Sequence, residues 1–150
     1  MKKLFFAALL SMLFLNVNAQ QVNITSLAIN GYDPVAYFTK GQAIEGTNKI
    51  SAEHDGTTYY FSSVEHQSLF ERNPEQYVPQ YGGYCATGVA TANAKFPVDP
   101  ETFKVTEGKL YLFYNGPYQG NHFNGREPWV KDEIKLIKTA NSNWRSLKSK

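Results

Sequence analysis

Cysteine is all but missing from this 150-residue chain: Cys85 is the only one. A lone thiol closes no internal disulfide, so stability has to come from a packed core. Long apolar runs are also scarce. The longest, Leu4 to Leu15, has twelve residues, and a membrane-spanning helix needs about 20. There is no basic stripe of the kind that nucleic acid demands; Lys131 to Lys150 mixes its lysines with Asp132 and Glu133 and reads as a solvated helix face. Phosphate-binding loops and dinucleotide fingerprints are absent, and Gly82-Gly83-Tyr84-Cys85 lacks the G-x-S-x-G form of a nucleophile elbow.

The N-terminus reads as a secretory signal. Lys2 and Lys3 precede the apolar run, and Val17-Asn18-Ala19 places a cleavage site before Gln20. Residue 20 is not the cysteine a bacterial lipid anchor requires, so no membrane anchor is expected after cleavage. The expected division is a signal peptide over 1–19 and one domain over 20–150, in a periplasmic or secreted protein. With Lys2 and Lys3 removed, 13 basic residues face 13 acidic ones. The Asn23-Ile24-Thr25 sequon is read as chance, because the short lysine-led signal looks bacterial.

Aromatic residues are plentiful, and all ten tyrosines and both tryptophans lie beyond residue 19. Asp33-Pro34 predicts a capped helical turn over Val35 to Phe38. Asp55-Gly56 joins a strand over Ile50 to His54 to another over Thr57 to Phe61. Ser62-Ser63-Val64-Glu65 reads as a capping box with Ser62 as N-cap, opening a helix that ends near Arg72, before Asn73-Pro74. Tyr84 to Ala94 reads as helical or irregular, and Asp99-Pro100 as a second Asp-Pro cap. A second hairpin is predicted around Glu107-Gly108, then a Gly/Asn-rich loop from Asn115 to Pro128. Val130, Ile134, Ile137, Ala140 and Trp144 form one helical stripe. The expected fold is α+β: a small antiparallel sheet built from hairpins, with short helices and a C-terminal helix packed mainly on one side.

Two residues carry the most chemistry. A thiolate at Cys85 and an imidazole at His66 are ligand types suited to a soft metal ion, copper first. Cys85 reads equally as a buried small hydrophobe or as a thiol awaiting a partner. His66 reads as a metal ligand or a helix-surface histidine. His54 beside the first hairpin turn is a further candidate ligand, should the fold bring it close. Asp33 reads as a helix cap, His122 as incidental, and Tyr32, Tyr37, Tyr60 and Tyr81 as core and rim aromatics.

GYDPVAYF (Gly31 to Phe38), the YYFSS junction, NPEQY (Asn73 to Tyr77) and QYGGYCA (Gln80 to Ala86) together resemble the YHS-domain family, in its small exported branch. The likeness extends through KLYLFY (Lys109 to Tyr114) to ANSNW (Ala140 to Trp144). Related modules on copper-transporting ATPases are taken to bind metal through cysteines in two motifs. Here Ala36 and Ser62 stand at cysteine places, His66 at another, and Phe61 at the middle of the eponymous Tyr-His-Ser. The resemblance therefore implies a depleted site of Cys85 with His66. The expectation is an exported, non-enzymatic YHS-domain protein that binds a copper ion. The alternatives are a metal-free module whose aromatic surface takes a protein or small-molecule partner, and, more remotely, a thiol-dependent enzyme using Cys85.

Overall fold

The computed structural model describes residues 26–149. The signal segment expected over 1–19 and the sequon at 23–25 lie outside the described residues. In chain order the elements are β1 (Ser26–Leu27), α1 (Ala36–Thr39), β2 (Thr47–His54), β3 (Thr57–Phe61), α2 (Val64–Arg72), α3 (Ala86–Ala92), β4 (Asp99–Thr106), β5 (Lys109–Phe113), β6 (Asn115–Tyr118), β7 (Asn121–Asn124), α4 (Arg126–Lys131) and α5 (Glu133–Leu147). The fold is α+β, as the sequence predicts. Among the described residues the strands make three small sheets rather than one: β1-β3-β2, β4-β5 and β6-β7. β1 joins β3 in parallel, and the other pairs are antiparallel.

Both predicted hairpins form, because Asp55-Gly56 and Glu107-Gly108 both take positive φ, as the favoured two-residue turns require. A third hairpin, turning at Gln119-Gly120, occupies the stretch read as loop. β5 sits between two cores. Side chains alternate across a strand, so Leu110 and Leu112 enter one cluster with Val35, Tyr37, Phe61 and Phe70. Tyr111 and Phe113 enter the other with Cys85, Val89, Trp129 and Ala140. Apolar packing on both faces of β5 replaces the one-sided arrangement expected.

Three local expectations change. The cap of α2 is Ser63, whose side chain accepts from the His66 N–H at 3.2 Å. Ser62 is drawn off to Asp33, so the box slips by one residue and loses its glutamate partner. Asp99 caps no helix; its carboxylate accepts from Glu101 N, Thr102 Oγ1 and Asn115 Nδ2 at the start of β4. The C-terminal stripe breaks at Asp132 (φ −147°, ψ 47°) between α4 and α5, which leaves Val130 and Ile134 exposed. The break places Glu133 against Lys104, Thr106 and the indole N–H of fully buried Trp129. Past it, α5 docks as expected: Ala140 and Leu147 are buried, and Asn143 donates to the Val89 and Ala90 carbonyls of α3.

Among the described residues no helix is long and apolar enough to cross a membrane.

Candidate functional site: the cavity beside Cys85

The sequence candidates part company in the structure. His66, on the first turn of α2, is 8% exposed. Its Nδ1 donates to Asp33 Oδ2 at 2.6 Å, and its Nε2 lies 3.1 Å from Thr39 Oγ1, whose one proton goes to the Val35 carbonyl. Neither ring nitrogen faces open space. Asp33 is completely buried and does far more than cap α1. Oδ1 takes the N–H groups of Val35 and Ala36, while Oδ2 takes the N–H and hydroxyl of Ser62 as well as His66. One carboxylate thus joins α1, the end of β3 and α2, and a buried carboxylate with its acceptor positions filled this way is a stable arrangement.

Cys85 lies in the other cluster, at the residue before α3, and is 1% exposed. Its thiol makes no hydrogen bond among the described residues, and its backbone N–H donates to the Phe96 carbonyl. The structure does not bring Cys85 and His66 together: no residue that hydrogen-bonds His66 borders the space beside the thiol. His54 instead lies beside Asp55 and Glu75, with Nε2 2.9 Å from Glu75 Oε1 and 3.6 Å from Asp55 Oδ2. These three form the one group of three or more potential metal-ligating side chains among the described residues. Both carboxylates are well exposed, and His54 Nε2 lies within hydrogen-bond distance of Glu75 Oε1. His122 is exposed at the tip of β7.

The space beside the thiol is a cavity of about 360 Å³. On one wall are Cys85 and the α3 residues Thr87, Gly88 and Thr91. Tyr114, Phe96 and the third hairpin, which contributes Tyr118 and Phe123, complete the lining. The hydroxyl protons of both threonines are spent on backbone carbonyls, Thr87 on Gly125 and Thr91 on Thr87. Among the described residues no charged side chain lines the cavity. Its size falls in the range of small-molecule pockets, and its mostly apolar wall with a few polar atoms matches their make-up.

The cavity's walls were not legible beyond Cys85. Phe123 lies in the stretch that the sequence presents as loop, and no motif marks Phe96. One signal was available: Gly88 stands inside a helix, where glycine is unfavourable, and such a residue has a packing reason.

The tyrosines fit the core reading. Burial pushes the phenols of Tyr37 and Tyr81 well above their ordinary value, and they donate to the Pro100 carbonyl and to Asn141 Oδ1. Phenols so held are poor proton-transfer groups near neutral pH.

Comparison with protein-family models, with curated proteins and with solved structures gives no match to this chain.

Proposed function

We propose that this chain is an exported, non-enzymatic YHS-type module that binds a small apolar molecule in the cavity beside Cys85. The observation that carries the reading is the cavity itself, apolar and large enough for a ligand, with an unpartnered thiol on its wall. The four motifs from Gly31 to Ala86 support the YHS assignment, and the N-terminal pattern supports export. The copper reading at Cys85 with His66 draws less support: the two residues have separate surroundings, and the imidazole is committed to Asp33 and Thr39. A nucleophile–base pair made of the same two residues is disfavoured on the same ground.

Fluorescence of the neutral dye N-phenyl-1-naphthylamine tests the reading on the mature chain. Wild type is expected to bind one equivalent saturably, and bound dye is expected to slow alkylation of Cys85. Thr91→Trp places an indole at the rim from an exposed helix position and is expected to abolish the signal. Failure to saturate, or full binding by Thr91→Trp, contradicts the reading.

A further inference from the structure

Seven of the eleven glycines have positive φ and are there for the backbone. The other four, Gly46, Gly88, Gly116 and Gly125, have ordinary backbone angles that any residue could adopt, so their reason is space. A Cβ on Gly46 would meet the backbone of Tyr60 and Phe61. On the remaining three it would meet a wall of the Cys85 cavity each time. Gly88 would strike Phe96 Cδ2 at 2.5 Å, Gly116 the Tyr114 hydroxyl at 3.0 Å, and Gly125 the Cys85 sulfur at 3.2 Å. Three glycines, on α3, on β6 and at the turn between β7 and α4, therefore fix where three wall groups sit. The cavity is a shaped feature rather than a packing remnant.

The chemistry of that shape selects a ligand. We infer, on the basis of the cavity reading above, that the ligand is an uncharged aromatic compound of about two fused rings carrying one O–H or N–H group. The rings of Phe96, Tyr114, Tyr118 and Phe123 border the space, and Tyr118 and Phe123 already pair at 5.8 Å between centroids. Aromatic walls favour offset or edge-on ring contacts, and a thiol sulfur adds favourable contact with a ring. The threonine hydroxyls, having given up their protons, offer oxygen lone pairs, so they accept a hydrogen bond from the ligand rather than donate one. Among the described residues no charged side chain borders the space to balance a buried ion. Lys95, next to Phe96 in the chain, holds its ammonium over the Tyr84 and Trp144 rings instead. Arg126, next to Gly125, borders a different surface hollow with Glu101 and Phe103. A cavity of about 150 Å³ holds one benzene ring, so the volume here takes two rings with a substituent.

Three naphthalenes of one shape separate these terms: 1-naphthol, 1-naphthoate and 1-naphthylmethylammonium, each titrated calorimetrically at pH 7 into the mature chain. Naphthol is expected to bind about tenfold or more tightly than either ion, since burying a charge without a partner is costly. Thr91→Arg, which brings a cation to the rim from an exposed position, is expected to reverse the order in favour of naphthoate. Gly88→Ala, which drives Phe96 from its place, is expected to weaken all three, and its circular dichroism reports whether the fold survives. If naphthoate equals or exceeds naphthol on wild type, or Thr91→Arg leaves the order unchanged, the ligand class is overturned while the cavity reading stands. If none of the three binds and N-phenyl-1-naphthylamine also fails, the cavity reading falls as well.

Discussion

Asp33→Ala is expected to lower unfolding stability by about 3–5 kcal/mol, because each buried donor left without an acceptor costs about 1–3 kcal/mol. The variant strands five donors at once: the N–H groups of Val35, Ala36 and Ser62, the Ser62 hydroxyl and His66 Nδ1. Small domains have only about 5–15 kcal/mol in hand, so the loss is a large share. Asp33→Asn keeps one acceptor oxygen for the α1 amides but turns an NH₂ toward three donors, and should fare little better. Urea denaturation measures both variants. A loss below about 1 kcal/mol would show that the network is not what joins α1, β3 and α2.

Glu133→Gln is expected to cost about 2–3 kcal/mol at pH 7, the scale of hydrogen bonds to a charged group, and the penalty should fade in acid. Partial burial pushes the Glu133 carboxyl up. Hydrogen bonds from Lys104, Thr106 and Trp129, with the Lys104 charge, outweigh that push and hold it below its ordinary value. A depressed folded value means that the carboxylate contributes in full above the unfolded value and loses its contribution as pH falls through the folded one. The stability gap between wild type and Glu133→Gln should therefore be widest near neutrality and narrow below about pH 4. Asp99 shifts in the same direction, and taking the difference between the two proteins removes its part. A gap that stays constant from pH 7 to pH 3 would contradict this.

The parts of the fold that were legible in the sequence are those governed by neighbouring residues. Asp55-Gly56 and Glu107-Gly108 turn where such pairs must, and Asn73-Pro74 ends α2. The errors arise where a distant partner decides between local equals. Ser62 and Ser63 are equivalent as caps until Asp33, 29 residues earlier, claims Ser62. The break at Asp132 depends on Lys104 and Thr106 of β4, across the fold from the helical stripe it interrupts. Of the candidate site, Cys85 was visible as a residue type, but its surroundings were not. The cavity joins α3 to a hairpin about 30 residues later, and no motif spans that gap. His66 and Cys85 looked like a pair only because both are soft-metal ligand types. Their separation follows from opposite faces of β5, which send Leu110 and Leu112 to the core nearer α2, and Tyr111 and Phe113 to the one holding Cys85.

The ligand proposed here, a small aromatic molecule, would sit between α3 and the third hairpin. Amide chemical shifts of the ¹⁵N-labelled protein over residues 20–150, followed by NMR during titration with 1-naphthol, locate the ligand residue by residue. Saturable shifts are expected at Cys85 to Ala92, Phe96 and Tyr114 to Gly125, with the amides of Asp33, Ser62 and His66 unmoved. Shifts that fail to saturate, or that centre on His66 or on the exposed Tyr84–Trp144 surface, would contradict it.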